Sequence, residues 1–138
     1  MKGKVRFRGL RVSDFYELDV QPAHAALVPI LQANPLRLQA LVDDPFSFTM
    51  TVDGVPKASL GVTPERGMWA LLDGNLKRHM VRLTRYTRAM IDMYQETLWA
   101  DIDRGNRAAV RWALLLGMRR VKMAPKGTMD TWLYDRKV

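Results

Sequence analysis

The chain has 138 residues, 48% of them hydrophobic, which excludes a disordered composition and suffices for one domain burying roughly two-thirds of its unfolded surface. It has no cysteine, so disulfide scaffolds and thiol chemistry are excluded, and no window reaches the ~20 apolar residues of a membrane helix. Twenty-two Lys and Arg against 14 Asp and Glu give a net charge of +8. That balance suits an anionic partner (nucleic acid, a phosphorylated cofactor, an acidic protein) or plain solubility. The basic N-terminus lacks an apolar run behind it, so no signal peptide is expected.

In chain order, residues 4–10 set Val5, Phe7 and Gly9 against Lys4, Arg6 and Arg8, the period of two of a strand with one wet face. Ser13 is the expected cap of a short helix over residues 14–19, with Glu17 near its positive end. Residues 23–30 are apolar but hold Pro29, so a short or bent helix is expected. Asn34-Pro35 opens the next helix, with Leu36, Leu38, Leu41 and Val42 as apolar positions, and it stops before Asp43-Asp44-Pro45. Residues 46–53 alternate Phe46, Phe48, Met50 and Val52 with Ser47, Thr49, Thr51 and Asp53. Asp53-Gly54 is a two-residue hairpin signal, returning as a strand over residues 55–62, with Pro56 near its start. A turn at residues 63–67 leads to an apolar strand at residues 68–72. The longest helix follows over residues 76–94, with Leu76, Met80, Leu83, Met90 and Tyr94 on one side, Thr87 inside that series, and Lys77, Arg78, Arg82, Arg85 and Arg88 on the rest. A strand at residues 98–103, a helix at residues 107–116 capped by Asn106 and ended by Gly117, and strands at residues 118–123 and 128–134 complete the chain.

This order predicts an α/β (α+β) fold in a single domain, residues 1–138, with a mixed, mostly antiparallel sheet of about six or seven strands and helices on both faces. It is also the element order of the GNAT acetyltransferase fold, which the whole chain resembles. GNAT proteins commonly carry Asn-x-x-Ala-x-x-x-Tyr-x-x-x-Gly-Phe across the helix after their fifth strand. Asn106, Ala109, Gly117 and Met118 stand at that spacing, with Met in place of Phe. More narrowly, the chain resembles the small internal virion proteins of short-tailed bacteriophages. That similarity lies in Pro22-Ala23-His24, Met68-Trp69, the long basic helix, Thr97-Leu98-Trp99, Asn106 and Leu116-Gly117. The narrower resemblance implies a virion location, with host cytoplasm during assembly. The implied partners are other virion proteins in a multi-copy assembly, and packaged DNA through non-specific electrostatics.

The enzyme pattern is incomplete. An active GNAT protein cradles the acetyl-CoA pyrophosphate with Arg or Gln-x-x-Gly-x-Gly or Ala, because small residues let backbone N–H groups approach the phosphates at a helix start. Aligning Arg78 with the motif's Arg puts Val81 and Leu83 at the small positions. Many family members protonate the departing CoA thiolate with a Tyr, and the matching position here is Ala113. Trp112 beside it has only an indole N–H and does no acid–base work at neutral pH. Asp101 and Asp103 stand where a base for the amine is wanted, or are simply a polar strand end.

His24 and His79 are the only histidines. His79 either meets a phosphate in the first turn of the basic helix or is an ordinary polar residue. No cluster has metal-ligand spacing, and no Gly-x-Ser-x-Gly or P-loop motif is present. The first functional expectation is a non-enzymatic phage structural component with no catalytic residues and no cofactor. Its face toward an anionic partner would be Lys77, Arg78, Arg82, Arg85 and Arg88. The alternative is an acetyl-CoA-dependent N-acetyltransferase, with Leu72, Lys77, Arg78 and Asn106 at the cofactor. A third reading is a non-specific nucleic-acid binder acting through Arg82, Arg85 and Arg88.

Overall fold

The computed structural model describes residues 3–20, 27–74, 76–94, 96–125 and 127–134. Among the described residues seven strands form two sheets, ordered β1-β2-β3-β4 and β5-β7-β6, and five α-helices accompany them. The chain divides into two compact units, residues 1–63 with 69–80, and residues 64–68 with 81–138.

In the first unit, β1 (Val5–Gly9) pairs antiparallel with β2 (Phe48–Val52), and β2 with β3 (Val55–Val62). Asp53 and Gly54 both take positive φ, 52° and 81°, the backbone of a tight two-residue hairpin. The Asp53 carboxylate also accepts the Gly3 and Lys4 N–H groups, which ties the start of β1 to the turn. β4 (Met68–Leu72) lies beside β3. Helices α1 (Asp14–Glu17), α2 (Leu27–Gln32) and α3 (Pro35–Asp43) precede β2. Pro29 falls in the first turn of α2, where its missing N–H is not needed. Asn34 caps α3 by accepting the Arg37 N–H, as the Asn-Pro pair predicts.

Leu10, Phe15, Leu18, Leu31, Leu38, Leu41 and Leu71 form the core, with Val20, Val28, Val42 and Trp69 packed against it. Each fully buried large apolar side chain contributes about 1.5–3 kcal/mol. Gly61 is required by packing, because a Cβ there would stand 2.5 Å from Ser47 Oγ and 2.9 Å from Trp69 Nε1.

Two expectations are corrected in this unit, the Ser13 cap and the Leu36 packing position. Ser13 makes no capping bond with its side chain; α1 is one turn long and ends at Glu17. Asp14 is instead the organising residue. It is fully buried, takes a two-pronged bond from Arg8 at 2.7 and 2.9 Å, and accepts the Thr49 hydroxyl and the Arg11 N–H. Burial pushes its carboxyl up, but Arg8 and these donors hold it below the usual range. All five residues of β2 are buried, and Thr49 is accommodated because Asp14 and Ser59 satisfy its hydroxyl. Leu36 is 86% exposed, since it lies about 200° around the helix from Leu38.

The second unit holds β5 (Leu98–Asp103), β6 (Arg119–Lys122) and β7 (Met129–Tyr134), with β7 antiparallel to both neighbours. Gly67 makes a parallel bridge to Trp99, whose indole N–H donates to the Glu65 carbonyl. The expected long helix is α4 (Met80–Met93), which belongs to this unit from Val81 onward; the turn of 3-10 helix before it, Lys77–His79, belongs to the first. Its buried stripe is Leu83, Thr87 and Ile91, at spacings of four, while Met80, Met90 and Tyr94 are half-buried. Ile91 was outside the predicted apolar series. Thr87 is tolerated there because its hydroxyl donates to the Leu83 carbonyl. α5 (Arg107–Leu115) completes the unit.

Candidate functional site

Most residues that the sequence nominates for chemistry lie at or beside the two strand-to-helix junctions, β4–α4 and β5–α5. At the first, Leu72 is half-buried at the end of β4 and Leu76 is buried. Lys77 and Arg78 are exposed on the 3-10 turn, where the His79 N–H is already spent on the Leu76 carbonyl. His79 is half-buried, and His24 lies outside the described residues. No acid stands in the first turn of α4.

The positions that should be small are not merely larger residues; they point in incompatible directions. Val81 is 66% exposed and Leu83 is 0% exposed, a core residue of α4. Neither is the glycine whose missing side chain lets a phosphate approach the backbone closely. The residues present therefore do not fit the pyrophosphate of acetyl-CoA through the family's motif.

At the second junction the scaffold is well formed. Asn106 Oδ1 accepts the Ala109 N–H at 3.2 Å and caps α5. Gly117, at φ 88°, ends it. The Gly117 N–H bonds the Leu114 carbonyl and the Met118 N–H bonds the Ala113 carbonyl, the paired C-terminal bonds of a Schellman stop. Met118 is buried, as the Phe that it replaces in the motif would be expected to be.

The same helix departs from the family's pattern at the Tyr position. Ala113 is 2% exposed, a methyl group packed in the interior where the family's Tyr would stand. The Trp112 indole N–H is committed to Thr84 Oγ1 at 2.8 Å. Asp101 accepts the Thr131 hydroxyl. The Gly105 N–H and the Thr128 hydroxyl hold the Asp103 carboxyl below the usual range, the wrong direction for a base at neutral pH. Among the described residues no group of His, Asp and Glu is arranged to hold a metal, and no helix is long and apolar enough to cross a membrane.

The five cations named for an anionic partner, Lys77, Arg78, Arg82, Arg85 and Arg88, are all exposed. Periodicity had missed a second basic cluster. Arg104, Arg107 and Arg111, with Val110, line an open depression of about 420 Å³ at the start of α5. Arg104 is fixed from below: its Nη2 lies 3.0 Å from Oδ1 of Asp130, which is 1% exposed and also accepts the Ala124 N–H. A visible signal was two arginines four apart in the opening turns of a helix that has no acid in its first turn.

No family model and no curated protein sequence matches the chain. Solved structures do. An acetyltransferase from Agrobacterium tumefaciens str. C58 is similar at TM-score 0.67 and 13% identity, over 99% of this chain and 93% of that one. The aminoglycoside acetyltransferase AAC(6')-Ib in complex with coenzyme A is similar at TM-score 0.62 and 16% identity, over 96% and 95%. Ard1 from Thermoplasma volcanium is similar at TM-score 0.66 and 12% identity, over 95% and 97%. None of these comparisons points to the internal virion proteins. At such identities the likeness concerns architecture alone. The chain has the GNAT, or N-acetyltransferase, fold.

Proposed function

We propose that this chain is a non-enzymatic structural component of a short-tailed phage particle, built on an acetyltransferase scaffold that does not transfer acetyl groups. The observation that carries the non-enzymatic part is Ala113. Acetyl transfer from a thioester to an amine needs a proton for the departing thiolate and an acceptor for the amine proton. The position that would give the first is a buried methyl group, and Trp112 beside it is bonded to Thr84. The nearby Asp103 is held below the ordinary carboxylate range. Val81 and Leu83 at the cradle positions support the same reading, with no cofactor required.

The virion setting is supported by the sequence resemblance and by exposed cations on a chain of net charge +8. Its partners would be other virion proteins and packaged DNA, met through non-specific electrostatics by Lys77, Arg78, Arg82, Arg85 and Arg88. Mass spectrometry of purified particles is the test. Peptides from this chain in stoichiometric amounts are expected, and their absence from intact particles overturns the setting.

A second reading is favoured by the well-formed Asn106 cap and Gly117 stop and by the named acetyltransferases of like fold. In it the chain is an acetyl-CoA-dependent N-acetyltransferase, with Leu72, Lys77, Arg78 and Asn106 at the cofactor. Turnover of acetyl-CoA on any amine would establish it.

A further inference from the structure

Helix α5 opens against its own electrostatics. Arg107 and Arg111 are exposed one turn apart, near the positive end of the helix dipole, with no acid in the first turn. Like charges at that spacing repel, and cations are disfavoured at that end. Among the described residues no acid forms an ion pair with either guanidinium. Such a conflict between local preference and fold is expected where a ligand relieves it.

The depression that the two line supplies the place. Its third arginine, Arg104, comes from the β5–α5 turn and has a different status. Asp130 and the carbonyls of Ala124 and Gly127 hold its Nη2, while its buried Nε has no partner. One arginine is thus anchored and partly neutralised beside two that are unpaired.

We propose that Arg104, Arg107 and Arg111 form a binding site for the phosphate backbone of duplex DNA. Guanidinium forks match phosphate oxygens two at a time. The depression is open to solvent, so a small molecule would be poorly enclosed there, whereas an extended polyanion can lie across it. No aromatic ring lines it, so there is no platform for unstacked bases, and a duplex is the form that fits. Charge distribution points the same way. The second unit carries 13 Lys and Arg against seven Asp and Glu, the first nine against seven, so most of the net charge lies in the unit with the cluster. A polyanion gains from that summed field through release of its counterions. This site deepens the virion reading without depending on it: absence from particles and failure to bind bare DNA are separate results.

The test is fluorescence anisotropy of the whole chain with a short mixed-sequence duplex, from about 50 to 200 mM salt. Binding should weaken steeply with salt and be alike for unrelated sequences. The double variant R107Q/R111Q should bind at least about tenfold more weakly and lower the log–log salt slope by about two. The charge-matched control R6Q/R37Q, on exposed residues of the other unit, should change affinity by less than about threefold. Matching thermal melts establish that the variants fold. Equal losses in the two variants would reduce the effect to net charge and overturn the site, as would failure of the wild-type chain to bind. Polyglutamate bound as tightly as DNA, with the same loss in R107Q/R111Q, would assign the site to an acidic protein and overturn the DNA assignment.

Discussion

The β5–α5 junction and the β4–α4 junction begin from the same architectural task, delivering a helix from the end of a strand, and they use different means. At β5–α5 the means are specific: an Asn cap, a glycine stop and a buried Asp130 holding Arg104. At β4–α4 there is a 3-10 turn bearing Lys77, Arg78 and His79, with a buried Leu76 as its anchor. In a GNAT enzyme the second junction binds the cofactor and the helix of the first supplies the acid. Here the better-formed junction carries an alanine at the acid position, and the other lacks the small residues. The Asn106 and Gly117 helix signals are thus kept while the motif residues at both junctions depart from the family's pattern.

The largest effect that would sharpen this contrast is expected at Asp130. Asp130→Ala removes the carboxylate that accepts from Arg104 and the Ala124 N–H, with Arg120 3.7 Å away, and should cost about 2–3 kcal/mol of stability in denaturant melts. Next is Gly117→Ala. Its φ of 88° disfavours any side chain, and its Cβ would meet the Tyr134 ring at 3.3 Å, so a loss of about 1–2 kcal/mol is expected. Asn106→Ala should cost about 1 kcal/mol, whereas Lys77→Ala and Arg78→Ala at the other junction should each stay within about 0.5 kcal/mol. Comparable losses at both junctions would break the comparison.

The smallest effect is in pH. The Gly105 N–H and the Thr128 hydroxyl lower the Asp103 carboxyl, and Arg8 and its fellow donors lower Asp14 despite burial. A depressed carboxylate stabilises the fold above its unfolded pKa of about 3.9, and that contribution is lost as pH falls through the folded value. Stability should therefore be insensitive to these groups near neutrality and decline below about pH 4. Asp14→Asn should flatten part of that acid limb in a melt series. An unchanged acid limb would remove Asp14 from the account.

Much of the scaffold was legible because it is written in local chemistry. Strands β3, β4 and β5, the Asp53-Gly54 hairpin, the Asn34 and Asn106 caps and the Gly117 stop follow from a few adjacent residues each. What escaped depends on partners distant in sequence. Ser13 resembles a cap, but Asp14 next to it is drawn to Arg8 and Thr49, 35 residues on. The alternation in β2 does not show that all five of its residues are buried, which rests on Asp14 and Ser59 satisfying the Thr49 hydroxyl. In the candidate site, the departures at Val81, Leu83 and Ala113 could be read directly. Of the arginine cluster, the Arg107–Arg111 spacing was legible, but the fixing of Arg104 beside them by Asp130 from β7 was not.

The central claim, a GNAT scaffold without GNAT chemistry, is met most directly by calorimetric titration of the chain with acetyl-CoA to about 1 mM, paired with a thermal melt at the same ligand concentration. The account predicts no heat beyond dilution and no shift in Tm. Saturable heat with a Kd in the range of about 1–100 μM, together with a raised Tm, would contradict it and make the chain a cofactor-binding acetyltransferase.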